Sequence, residues 1–232
     1  NVSISGETID YGPCAFMDFY DPKTVFSSID KLGRYSFSNQ PPITKWNLAR
    51  FAECLIPLIN KDENEAINIA TKTIDNFQNI YETKWLNMMR DKLGMFGKDQ
   101  NDKKLIDDLL SWMEINNADY TNTFCNLMNV NIEGKKIYED QKFINWVKIW
   151  EKRILINNNL KEKSLDLMRN TNPTVIPRNH KVEEALNAAN EDNIDVINKL
   201  LNVLSKPYSN QKNIENYQSL STDKEYQTFC GT

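Results

Sequence analysis

Asn1 and Asp10 are the two side chains of this sequence best suited by type and spacing to metal chemistry. Hard cations take oxygen ligands, and an amide carbonyl together with a carboxylate supplies them. The residues between allow the two to meet. Val2–Ile4 and Glu7–Ile9 read as short strands with Ser5-Gly6 as the turn, because Gly tolerates the positive φ of tight hairpins. In that register Ile4 pairs with Glu7, Ser3 with Thr8, Val2 with Ile9 and Asn1 with Asp10, setting the Cβ atoms of the two ligands about 5 Å apart. A slip of one residue would turn alternate side chains to the other face. Taken alone, Asp10-Tyr11-Gly12 also reads as an ordinary turn.

The order Asn, then Asp-Tyr-Gly, resembles the second half of a kinase-type nucleotide site, in which a catalytic-loop Asn and the Asp of a D-F-G element supply oxygens to magnesium. Longer strings carry a closer resemblance. NVSISGETIDYGPCAFMDFYDP (Asn1–Pro22), GRYSFSNQPPITKWNLARFAECLIPLI (Gly33–Ile59), ADYTNTF (Ala118–Phe124), NPTVIPRNH (Asn172–His180), AANEDN (Ala188–Asn193) and FCGT (Phe229–Thr232) are similar to the selenoprotein O (YdiU) family of protein adenylyltransferases. The resemblance runs from the first residue to the last.

It implies a mainly α chain forming the C-terminal part of a protein-kinase-like fold: a short N-terminal hairpin, an activation segment and a helical lobe. Residues 1–42 would hold the end of the catalytic loop, the metal-binding Asp-Tyr-Gly and the activation segment, residues 43–204 the helical lobe, and residues 205–232 a tail. The family is thought to hold ATP in a flipped orientation, so that AMP passes to a protein Ser, Thr or Tyr hydroxyl. By motif, Asn1 matches the Asn that binds Mg2+, and Asp10 the Asp that binds both Mg2+ and the nucleotide. The family's general base is an Asp expected immediately before Asn1, and the Lys–Glu ion pair and Gly-rich loop are likewise expected upstream. No catalytic residue is therefore assigned within the chain, which is expected to be inactive alone. The same Asn1 and Asp10 would serve an ordinary protein kinase, and a non-catalytic pseudokinase scaffold would keep the fold alone.

Members of the family end near a Cys, in some cases followed by selenocysteine. The sequence stops at Cys230-Gly231-Thr232, which fits both a frame halted at a selenocysteine codon and a short natural end. In some relatives the tail Cys is thought to bond to a Cys of the activation segment. Phe26 stands at the matching position here, which leaves Cys14 as the segment's candidate redox partner for Cys230. The tail is expected to approach the segment.

Composition suits a globular chain. Of 232 residues, 40% are apolar and 26% charged, and the net charge of −4 carries no electrostatic case for nucleic acid. No stretch approaches the roughly 20 apolar residues of a membrane span. The family's compartment is mitochondrial in eukaryotes and cytoplasmic in bacteria. Cys14, Cys54, Cys125 and Cys230 form no C-x-x-C pair, which argues against zinc, and Cys54 in its apolar run is expected in the core.

Residues 10–42 are irregular and rich in Gly and Pro, and Arg34-Tyr35-Ser36-Phe37 reads either as the anchor of the segment's far end or as core aromatics beside a solvated Arg. Beyond Pro42 the pattern is helical. Ile43, Trp46, Leu48, Phe51, Leu55 and Leu58 mark one helix, with Pro57 disturbing its last turn. Further helices are expected near 62–93 with a break at Glu82, then 103–116, 119–129, 139–156, 160–169, 180–190 and 193–204. Trp85, Trp112, Trp146 and Trp150 at helical spacing read as core, residues 61–65 and Asp107-Asp108 as helix starts and solvated faces, and His180 as structural.

Overall fold

The computed structural model describes residues 3, 5–7, 15–130, 135–156 and 161–221. Among them the protein is mainly helical, with one isolated antiparallel bridge, Phe19 to Asp119, and no longer strand. They divide into two compact units, residues 3, 5–7 and 22–87 in one, residues 15–21 and 88–221 in the other. Ser3 to Glu7 hold a turn in which the Gly6 amide donates to the Ser3 carbonyl at 3.2 Å, with Gly6 at φ 71°. The pairing of Asn1 with Asp10 lies outside the described residues.

In the first unit, α1 (Gln40–Ile59) starts with prolines in its first turn, where an absent N–H leaves no bond unmade. It packs against α2 (Glu63–Asp75), whose first turn is capped by the Asp62 carboxylate accepting from the Glu65 amide at 3.0 Å. Ala49, Ala52 and Ile56 recur every three or four residues and line the groove facing α2. Cys54 stands two residues from both Ala52 and Ile56, so helical periodicity turns it to the opposite face, where it is exposed. The expected core Cys54 is thereby corrected. The break expected at Glu82 falls instead at Asn76, between α2 and α3 (Phe77–Lys92), because an Asn side chain competes for backbone bonds and favours helix ends. Tyr35 and Phe37 are not core residues either, at 41% and 36% exposure. Arg34 lies 4.7 Å over the Trp46 ring, and the Asp30 carboxylate accepts from the Arg34 and Tyr35 amides at 2.8 Å.

The core of the second unit forms where α4 (Asp102–Asn116), α5 (Tyr120–Leu127) and α6 (Gln141–Ile154) meet the last turn of α3. Trp112, Trp146 and Trp150 are buried as expected, while Trp85 is half-buried. Each buried indole meets a partner: Trp112 donates to Asp140, Trp146 to the Leu105 carbonyl and Trp150 to the Leu93 carbonyl, all at 2.8 Å. Gly94 ends the α3 run at φ +65°, and a Cβ there would stand 2.5 Å from the Ser164 carbonyl oxygen, so no other residue fits. The expected solvated acids are found as such, with Lys103–Asp107 and Lys104–Asp108 pairs one turn apart. α7 (Lys161–Thr171), α8 (Asn179–Asn190) and α9 (Asp195–Leu204) follow. Residues 205–221 then wrap onto this unit through the short α10 (Glu215–Gln218), with Ile214 buried against Val175 and Val203.

A buried ionic cluster sits at the start of α4. Asp102 is fully buried between two guanidinium groups, accepting from Arg90 Nε at 2.6 Å and from Arg153 Nε at 2.6 Å. The Asp99 amide adds a bond at 2.9 Å. Desolvation raises the Asp102 pKa, but the bonds from Arg153, Asp99 and Arg90 outweigh it and hold the carboxyl below its usual 3.8. Its contribution is thus present above pH 3.8 and lost as pH falls through the lower folded value. Asp102→Asn should strand two buried cations and cost about 3–5 kcal/mol in urea unfolding at pH 7; a loss below about 1 kcal/mol would show that the cluster is solvated.

Candidate functional site

The segment Ala15–Asp21 lies along the start of α5, and backbone bonds place it there. The Tyr20 amide donates to the Ala118 carbonyl and the Tyr120 amide to the Asp18 carbonyl, both at 2.9 Å. The Asn179 side chain then grips Phe16 at both its backbone polar groups: Oδ1 accepts from the Phe16 amide at 2.9 Å and Nδ2 donates to the Phe16 carbonyl at 2.8 Å. An Asn at the first position of α8 does here what a neighbouring strand would do.

Beside Asn179, Arg178 is 1% exposed, and a charge so deep needs partners. Its Nη1 donates to Asp18 of the segment and to Asp119 at the start of α5, each at 2.7 Å, and its Nη2 donates to the Gln218 carbonyl of α10 at 3.0 Å. Asp119 also caps α5, accepting from the Asn122 amide at 2.6 Å. Burial pushes the Asp119 carboxyl up, and Arg178 opposes the shift. Asn122 Nδ2 donates to the same Gln218 carbonyl at 3.0 Å, and Gln218 Nε2 to the Thr174 carbonyl at 2.6 Å. Arg178 Nε, Asn122 Oδ1 and Gln218 Oε1 have no protein partner among the described residues.

Two strings of the sequence therefore meet at this mount. Within Asn172–His180, Asn172 donates to the Lys92 carbonyl at the end of α3 (2.7 Å), Thr174 to the Pro207 carbonyl (3.0 Å), and Arg178 and Asn179 hold the segment. Within Ala118–Phe124, Ala118, Asp119 and Tyr120 receive the segment and Asn122 the tail. Tyr120 stacks on Tyr20 of the segment, with ring centroids 5.6 Å apart. Lys92 Nζ lies 5.3 Å from the Tyr120 ring centre and 4.2 Å from that of Phe124. His180 is half-buried with Nδ1 unpartnered among the described residues, and desolvation and Lys181 hold its pKa below 6.5.

Of the residues singled out from sequence, Asn1, Asp10, Cys14 and Cys230 lie outside the described residues. The described residues contain no group of three His, Cys, Asp or Glu side chains able to hold a metal, and no helix long and apolar enough to cross a membrane. What they build is a mount for the segment Ala15–Asp21, with the tail residue Gln218 held at the same guanidinium. Sequence reasoning matched Arg178 and Asp119 only as members of strings. A lone Arg within NPTVIPRNH gave no sign that its partners lie 59 and 160 positions away.

Residues 1–205 match the sequence model of the family described as "Protein adenylyltransferase SelO". The chain belongs to the SelO (YdiU) family. It is 58% identical over 234 residues to a protein nucleotidyltransferase YdiU of Pelagibacter ubique, a match that covers all of this chain and 48% of that relative. Proteins of the same name from Clostridium botulinum (Loch Maree) and Alkaliphilus metalliredigens are 52% and 50% identical over 235 residues, again across the whole chain and 48% of each relative. This SelO chain thus spans about half the length of the relatives it matches.

Two chemical contrasts can be measured in this SelO chain. Cys125 is fully buried, with its thiol pushed up to about 12 by desolvation, whereas Cys54 is exposed. Iodoacetamide should label Cys54 in the native protein and Cys125 only after unfolding, as read by peptide mass spectrometry; labelling in the reverse order would contradict the packing. Desolvation also lowers Lys92 from 10.5 to about 8, so the folded protein holds this ammonium at a cost below pH 8 that is relieved as pH rises from 8 to 10.5. Lys92→Met should therefore be more stable than wild type by about 1–2 kcal/mol at pH 7. Urea melts at pH 7 and pH 10 should show that gain shrinking, and a gain independent of pH would refute the assignment.

Proposed function

We propose that the protein containing this chain is a protein adenylyltransferase of kinase-like fold, moving AMP from ATP to Ser, Thr or Tyr hydroxyls of other proteins. The observation that carries the reading is the family match over residues 1–205, which includes both Asn1 and Asp10. The bonds that hold Ala15–Asp21, the described stretch that follows Asp10 in sequence, are in keeping with it. In this reading residues 1–42 contain the end of the catalytic loop and the activation segment, residues 43–204 the helical lobe, and residues 205–232 the tail.

Asn1 and Asp10 would hold Mg2+, and their amide and carboxylate oxygens are the donors that a hard cation takes. When bound, the ion neutralises phosphate charge. The roles of the chain's own residues are then separate. Asp10 orients the nucleotide, Asn1 supplies a neutral oxygen, and the Asn179 and Arg178 bonds fix Ala15–Asp21. The general base, an Asp preceding Asn1 in the family pattern, removes the proton of the attacking hydroxyl. With bacterial relatives, a cytoplasmic setting goes with this reading.

The full-length protein should incorporate label from α-labelled ATP into protein and none from γ-labelled ATP. Retention of the γ label would make it a kinase, and of neither a scaffold. Asp10→Ala should reduce turnover by at least about 100-fold, and Asn1→Ala by about 10-fold with partial recovery at high Mg2+. Wild-type turnover of Asp10→Ala across Mg2+ concentrations would sink the metal assignment.

A further inference from the structure

Arg178 serves three stretches of chain with one rigid group. Its Nη1 edge holds Asp18 of the segment and Asp119, and its Nη2 holds the Gln218 carbonyl of the tail. A guanidinium is planar, so it cannot follow one partner without turning away from the other. The tail also determines how dry the pair is. Arg178 is 1% exposed and Asp119 3% at the side chain, while the Asp18 side chain is 15% exposed, and Gln218, 2% exposed, lies directly against the guanidinium. If the tail left, Arg178 Nη2 and Asn122 Nδ2 would lose their shared acceptor, and water would reach the Arg178–Asp18 pair. A wetter pair is a weaker pair.

We propose that Arg178 is a positioning residue that couples docking of the tail residues Ile214–Gln218 to placement of the segment Ala15–Asp21, so that the docked tail acts as a strut for the segment. The effect on catalysis rests on the proposed function, because only there does the segment follow a metal-binding Asp10 in sequence. The coupling itself does not.

The segment retains supports that the tail does not touch, namely the Asn179 grip on Phe16 and the Tyr20 bond to Ala118. Loss of the tail should loosen the segment without freeing it. The coupling is also reciprocal: whatever orders the segment tightens the tail by the same factor.

Hydrogen exchange in the full-length protein tests this. Ile214→Asp puts a charge among Val175 and Val203 and removes none of the segment's own hydrogen bonds. Exchange at the Tyr217, Gln218 and Ser219 amides should accelerate, and at Phe16 and Tyr20 it should accelerate with them by about 5- to 100-fold. Tail amides that speed up while Phe16 and Tyr20 keep their wild-type rates would overturn the coupling. If Ile214→Asp also exposes Ile106 and Leu109 in the core of α4, Gln218→Ala replaces it as the deciding variant. That substitution removes only the bond to the Thr174 carbonyl and should raise both sets of rates about 2- to 10-fold, with a rise in the tail alone again overturning the coupling. Arg178→Lys keeps the charge but cannot span both partners, and it should accelerate both sets; acceleration of one set alone would overturn the proposal. In the same variants the KM for Mg-ATP should rise as the segment loosens. Coupled exchange in a wild type that fails to transfer AMP would count against the proposed function and leave the strut standing, while uncoupled exchange with AMP transfer intact would count against the strut alone.

Discussion

The second unit depends on the need to neutralise one buried guanidinium. Arg178 is 1% exposed, and a cation at that depth persists only where acceptors surround it. Three separate stretches of chain meet this requirement: Asp18 within the irregular region, Asp119 at the cap of α5, and the Gln218 carbonyl in the tail. Each contributor is thereby fixed in place. The cap explains why α5 starts where it does, the carboxylate why the segment crosses the α5 N-terminus, and the carbonyl why the tail folds back rather than extending into solvent.

A second guanidinium cluster follows the same logic elsewhere in that unit. Arg90 of α3 and Arg153 of α6 converge on Asp102 at the first position of α4, so three helices are registered by one carboxylate. Apolar packing around Trp112, Trp146 and Trp150 supplies bulk, and each indole N–H is aimed at a single acceptor that sets the rotation of its helix. Dispersion alone would tolerate several such arrangements. Directional bonds from buried polar groups select one.

Much of the helical pattern was legible in the residues. Capping signals are local, so Asp62, Asp119 and Asp140 mark helix starts within a residue or two, and Gly94 and Asn117 mark stops. The solvated placing of Asp107-Asp108 was equally plain. The misreadings of burial share a cause: whether an apolar face is covered depends on what stands opposite it. Trp46 and Phe51 keep 48% and 42% of their surface, and Cys54 is exposed, although their spacing resembles that of a core helix. The break at Asn76 rather than Glu82 was missed because one Asn within a charged, weakly apolar run carries little signal against the residues around it.

By itself the sequence determined the family, through strings that extend from Asn1 to Thr232, and with it the residues proposed to bind metal and nucleotide. It also determined most helix ends, because caps and breakers act through bonds within one turn. Only the tertiary structure decided what the strings NPTVIPRNH and ADYTNTF are for. Their partners lie at separations such as those between Arg178 and Asp18, and between Asn122 and Gln218, and at such distances no local periodicity records a contact. A buried charge and its counter-charges are chosen by three-dimensional proximity, because the free energy of burying Arg178 depends on which groups surround it in the fold.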